Sequence, residues 1–148
     1  MSERSAPQAI DPRGPRTNQA VLTVGLLAGF LVDARWVAPL FAAVLFLGAA
    51  FGARWGPVLR FYAAIIKPRL APPAELEDPR PPRFAATIGT AFLFAATVAF
   101  VLGAPGVGWI LTLVVAALAG LAAFTGICVG CEVYLFAARR RRQGASLA

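Results

Sequence analysis

Residues 109–138 read WILTLVVAALAGLAAFTGICVGCEVYLFAA, and the rest of the fold follows from how this run is read. Glu132 is its one charged residue, and Arg139, Arg140, Arg141 and Arg142 close it. About 20 apolar helical residues at ~1.5 Å each cross the hydrocarbon core of a bilayer. The run exceeds that length, so it predicts a transmembrane helix with turns left over.

Working outward, Phe84 to Leu102 forms another apolar run, interrupted by no charge. Its Thr87, Thr90 and Thr97 can bond back to helix carbonyls and need no outside partner. Gly103 to Gly108 is a short uncharged turn between these two spans. Residues 36–53 make a third span, opened by Trp36 at the membrane–water boundary. Residues 17–33 make the first, short enough to need a small adjustment of the bilayer. Asp33-Ala34-Arg35 is a tight polar turn between them. A secretory signal peptide cleaved near Val32-Asp33-Ala34 is the competing reading of the first segment.

Between the second and third spans, residues 54–67 predict an amphipathic helix lying on the membrane. Arg60 and Lys67 share one face, with Trp55, Leu59, Tyr62 and Ile66 on another. Residues 68–83, rich in proline and charge, read as an extended loop. Residues 1–16, broken by three prolines, read as a disordered tail, and residues 143–148 as a short polar tail. The expectation is therefore an all-α integral membrane four-helix bundle, with an interfacial amphipathic helix between spans two and three.

Composition agrees. The 148 residues are 59% hydrophobic, with mean hydropathy +0.71. A soluble domain is nearer about 45–50% apolar. The net charge of +7 comes from residues flanking apolar runs rather than from one basic face, so no nucleic acid is expected as a partner. Thirteen of the fourteen basic residues fall before the first span, between the second and third, or after the fourth; Arg35 is the exception. The positive-inside rule then places both termini in the cytoplasm of a bacterial cytoplasmic membrane. Gly25 and Gly29, and Gly48 and Gly52, are two G-x-x-x-G pairs. They read equally as close helix contacts or as the ordinary abundance of glycine in membrane helices.

The chemistry-bearing residues are Cys128, Cys131 and Glu132. Cysteines three apart share a helix face, with Cα atoms ~5 Å apart, inside the range for a disulfide. In an unbroken helix the pair sits near the C-terminal end, where the dipole disfavours an anion and apolar surroundings do the same. Both then remain thiols at neutral pH. A break at Gly126 or Gly130 would instead give Cys128 a helix N-terminus, with Glu132 as acceptor of its proton. The alternative is that both cysteines are small packing residues beside the ridge of Ala122, Gly126 and Gly130. Two cysteines without a histidine do not complete a tetrahedral metal site in one chain, although a dimer would supply four thiolates. No metal or cofactor is expected.

The ending F-T-G-I-C-V-G-C-E-V-Y resembles the F-G-[IF]-C-x-G-C-x-x-Y signature of small bacterial membrane proteins catalogued as domain of unknown function 4395. I-D-P-R-G-P-R and P-R-L-A-P-P-A-E-L-E-D-P-R-P-P-R-F resemble the same group, and the likeness runs from Ile10 to Arg140. Thr125 departs from the small residue usual before the glycine. The resemblance implies a four-helix integral membrane protein. It also implies thiol redox or sulfur handling with a thioredoxin-like or rhodanese-type cytoplasmic partner. In that reading Cys128 and Cys131 cycle, Glu132 accepts the proton, and residues 54–83 with the arginine tail form the docking surface. The alternatives are a non-enzymatic scaffold with structural cysteines and a small sulfur-anion transporter whose pathway a homo-oligomer supplies. Against transport, no span holds an ionisable residue near the bilayer centre.

Overall fold

The computed structural model describes residues 10–52, 55–73 and 75–146. Most of the expected first tail, with Arg4, lies outside them, as do Ala53 of the second span, Arg54 and Ala74 of the connection, and the last two residues. Among the described residues every extended element is a helix. α1 spans Arg13–Leu31, α2 Val37–Phe51, α3 Pro57–Phe61, α4 Arg80–Val101, α5 Pro105–Thr125 and α6 Val129–Ser146. A π turn, Tyr62–Ile66, and a 3-10 turn, Lys67–Arg69, extend α3. α4 and α5 are each long and apolar enough to cross a membrane, and α2 is a shorter apolar helix.

Two helices begin earlier than the proline-rich sequence suggests. α1 starts at Arg13 rather than at residue 17, and α4 at Arg80 rather than at residue 84. Both starts use one device. The Asp11 carboxylate accepts the backbone N–H of Arg13 (2.9 Å), and the Asp78 carboxylate accepts that of Arg80 (2.9 Å). The prolines that follow need no acceptor, because a first turn has no use for their missing N–H groups. Residues 10–16 are therefore tied down rather than a loose tail. Ile10 and Glu77 exchange two backbone hydrogen bonds of 2.9 Å, an isolated antiparallel bridge that joins the two helix starts. Tyr62 donates to the second oxygen of Asp11 (2.9 Å), and Arg13 to the carbonyl of Ala71 (3.1 Å).

These starts belong to an internal repeat. D-P-R-G-P-R at residues 11–16 returns as D-P-R-P-P-R at residues 78–83. Both helices that follow end in the same turn. Val32 donates to Ala28 and Ala34 to Gly29, as Leu102 donates to Val98 and Ala104 to Ala99. The turn residue has positive φ in each copy, Asp33 at 51° and Gly103 at 76°. The packing is swapped between copies: α1 lies on α5, and α4 on α2. The last arginine of each motif serves the far end of its partner helix. Arg83 donates to the carbonyls of Ala49 and Ala50 (2.9–3.1 Å), which end α2. Arg16 lies against Gly126, which ends α5. Cations at helix C-termini are favoured there by the dipole.

The core joins Leu22, Leu26, Val37, Ala42, Leu45, Leu93, Val115, Ala116 and Ala119. Alanine and glycine at the contacts bring backbones close, as in membrane helix pairs. Of the two G-x-x-x-G pairs, the first packs. A Cβ on Gly29 would meet both Val37 methyls at 2.5–2.6 Å, and Gly25 faces the Phe41 ring. The second does not, since Gly48 and Gly52 have nothing within 4 Å of such a Cβ. At the far end, Trp109 sits edge-on between Phe30 and Phe100 (5.3 and 5.0 Å) and donates its indole N–H to Asp33 (2.9 Å). Large apolar side chains meanwhile cover the outside: Phe124 is 90% exposed, Leu31 and Val101 81%.

The connecting segment is helical from Pro57, preceded by Gly56 in extended conformation. Tyr62 is buried, Leu59 and Ile66 half-buried, and Trp55 exposed against Phe51 (ring centroids 6.0 Å).

Candidate functional site

The expected thirty-residue last helix is two helices. α5 ends at Gly126, whose φ of 77° and ψ of −1° are left-handed, a conformation that only glycine adopts freely. Gly126 closes α5 with a bond to the Ala122 carbonyl (3.0 Å). Thr125 makes the corner polar. Its hydroxyl donates back to Leu121 (2.6 Å) and accepts the N–H of Ile127 (3.1 Å). Ile127 and Cys128 are non-helical, and α6 begins at Val129.

Cys128 thus occupies the position just before the first residue of α6, and its carbonyl accepts the first helical bond, from Glu132 (2.9 Å). The unbroken-helix reading, with the pair near a C-terminal end, is corrected by this break. Gly126, rather than Gly130, makes it. Gly130 instead packs, since a Cβ there would fall 2.7 Å from that of Ala85 on α4. Phe84 and Tyr134 (ring centroids 5.6 Å) hold α6 against the start of α4. The pair lies beyond the end of α5 and level with the basic helix starts.

Both cysteines are free and half-buried. The Gln19 side-chain amide donates to the Cys128 sulfur across 3.7 Å. Donors surround that sulfur: first the Cys131 thiol, then the opening amides of α6 at Cys131 and Gly130, and Gln19. Against the opposing effect of burial, they bring the Cys128 thiol down to about 6. Cys131 goes the other way. Its thiol is held by Cys128, buried, and faced by the carboxylates of Glu77 and Glu132, so it rises well above the ordinary thiol range. The arrangement separates the two roles of a dithiol, a thiolate at Cys128 and a protonated donor at Cys131.

Glu132 is exposed in the first turn of α6. Among the described residues its carboxylate makes no hydrogen bond to either sulfur. The structure brings Cys128 and Cys131 together and leaves Glu132 acting on Cys131 through charge. Two participants escaped the sequence reading. Gln19 is one of the polar residues wound into the first span, and Glu77 belongs to the loop paired with Ile10. The repeated D-P-R motif was the available signal for both, since it marks where the two helix starts meet.

Cys128 also lines a recess of ≈ 700 Å³ between the two halves of the repeat. Leu22, Leu45, Phe51, Phe92 and Leu118 give it an apolar wall; Gln19, beside the sulfur, and Asn18 are polar members of its lining. Among the described residues no group of three or more His, Cys, Asp or Glu side chains is placed to hold a metal ion.

The family model for the domain of unknown function DUF4395 matches residues 10–139. No curated protein and no solved structure matches the chain.

Proposed function

The chain belongs to the DUF4395 family, and we propose that it is a four-span membrane thiol protein whose Cys128–Cys131 pair exchanges disulfide or persulfide sulfur with a cytoplasmic thioredoxin-like or rhodanese-type partner. The repeat supports the four spans. α4 and α5 meet the length and apolarity of a span, and α1 and α2 occupy the equivalent places in the first copy. The exposed apolar surface supports it too, since contiguous apolar patches on soluble monomers rarely exceed a few hundred Å². Parallel repeats related by an axis along the membrane normal are a common plan for such proteins. Arg13, Arg16, Arg80 and Arg83 gather at the end that carries the cysteines, and Arg35 lies at the other. The positive-inside rule then faces the thiols to the cytoplasm, with both termini.

The helix break at Gly126 is the observation that carries the reading. It gives Cys128 a helix N-terminus, whose opening amides at Gly130 and Cys131 join the Cys131 thiol and Gln19 as donors to its sulfur, the environment in which cysteines become nucleophiles. Cys128 attacks the partner's disulfide or persulfide. Cys131 then attacks the Cys128 sulfur, closing the S–S bond, and its proton leaves through exposed Glu132; the group released is the partner thiolate when the partner brought a disulfide, and hydrosulfide when its outer persulfide sulfur had passed to Cys128 and its own thiolate had already left. Gly56, Leu59 and Arg60 of the connecting segment line the recess beside Cys128, and residues 54–83 with the arginines of α6 form the docking face.

In cells carrying Cys131→Ser, a mixed disulfide through Cys128 should accumulate with a soluble partner and vanish on reduction. Cys128→Ser should abolish it. Partner capture that survives Cys128→Ser sinks the reading.

A further inference from the structure

We propose that the recess beside Cys128 binds a lipid-soluble quinone, which takes two electrons from the Cys128–Cys131 pair. The inference rests on the thiol reading above and names the electron acceptor of that same site.

The recess has the size of a small-molecule pocket, typically ~300–1,000 Å³, at ≈ 700 Å³. Asp11, Arg60, Lys67 and Arg83 are among its lining, but most of its wall is aliphatic and aromatic, and that part suits a ligand dissolved in the bilayer. It lies between the repeat copies, where membrane proteins of this plan commonly place their ligands. Two chemical features of the wall narrow the occupant. One is a redox-active sulfur, which a passive lipid tail has no use for. The other is the Asn18 amide, next to Gln19, whose side chain has no hydrogen-bond partner among the described residues. Gln19 spends its own donor on Cys128. A quinone matches both features. Its flat apolar ring fills such a pocket, its carbonyl oxygen accepts from an amide N–H, and its ring carbon accepts a thiolate.

The steps balance as follows. The Cys128 sulfur gives its electron pair to a ring carbon, forming an S–C bond, and the reduced carbonyl oxygen takes a proton. Cys131, once deprotonated, attacks the Cys128 sulfur. The S–S bond forms, the S–C bond breaks, and its electron pair stays on the ring. The second oxygen takes the second proton. Two thiols have become one disulfide, and the quinone has become a hydroquinone by two electrons and two protons.

The test uses the full chain, reduced, in lipid nanodiscs without oxygen. Decylubiquinone is added, and its absorbance is followed together with free thiols counted by alkylation. The expected result is one quinone reduced and two thiols lost per chain, with no reduction by Cys128→Ser. Gly48 faces the recess with nothing within 4 Å of an added Cβ. Gly48→Leu should therefore occupy the space and slow reduction at least tenfold. Asn18→Leu, on a different helix, should raise the quinone concentration needed for half-maximal rate several-fold. If the chain exchanges with a small aromatic disulfide but reduces no quinone, the acceptor is wrong and the thiol reading stands. If it reacts with neither, both fall. Reduction at the original rate in both recess variants places the reaction elsewhere and overturns the proposal.

Discussion

Replacing Gly126 with alanine tests the elbow on which the chemistry depends. Gly126 has φ of 77°, where an L side chain costs about 1–2 kcal/mol. In a continuous helix the same change gains roughly 1 kcal/mol. The two effects together favour a straightened α5–α6 by about 2–3 kcal/mol, while the new Cβ presses on the Arg16 guanidinium. Straightening removes Cys128 from the start of α6 and from its amides. With the thiol at about 6, roughly 90% is thiolate at pH 7; at the ordinary value of ~8.5 only about 3% is. The rate at pH 7 is a poor readout, because a more basic thiolate is intrinsically more nucleophilic, with a Brønsted slope of about 0.4–0.5, and this recovers most of the ~30-fold loss. The midpoint of the pH profile is the better one. Cys128 alkylation by iodoacetamide, followed by peptide mass in detergent from pH 4.5 to 9.5, should show a midpoint near 6 in the wild type and a higher one in Gly126→Ala, where the Cys131 thiol remains but the opening amides of α6 are lost. A wild-type midpoint at 8 or above, or an unchanged one in a folded variant, refutes the argument.

The two glycine pairs should separate in a thermal melt. Gly29→Val drives methyls into Val37 and should destabilise by about 1–3 kcal/mol, whereas Gly48→Ala enters open space and should stabilise by up to ~1 kcal/mol. Topology has its own check. In a background lacking Cys128 and Cys131, Asp33→Cys should react with a membrane-impermeant maleimide in intact cells, and a fluorescent protein fused after Ala148 should fold and fluoresce in the cytoplasm. Labelling at residue 33 only after lysis contradicts the orientation.

Hydropathy and charge made much of this molecule readable. The apolar runs, the turn at Asp33-Ala34-Arg35 and the helical segment after Gly56-Pro57 follow from residue types alone. Proline misled. In D-P-R-G-P-R and D-P-R-P-P-R it looked like a breaker, yet next to an aspartate that accepts the first N–H it starts a helix. The site was half legible. Cys128 and Cys131 stood out at once, and a break at Gly126 or Gly130 was the stated condition for reactivity. Hydropathy could not decide between the two glycines, because one is left-handed and the other packs on Ala85. Gln19, more than a hundred positions from Cys128, becomes its neighbour only through the packing of α1 on α5.

The repeat supplies this protein with an internal standard. Each copy has a descending helix closed by a glycine of positive φ, Gly52 or Gly126, and an arginine from the other copy standing at that end. One elbow carries Cys128 and Cys131, and the other carries Gly56 and Leu59 at the matching places before and within α3. Whatever the lipid, detergent or temperature does to the bend itself should register at both corners. What registers at Gly126 and not at Gly52 belongs to the sulfur.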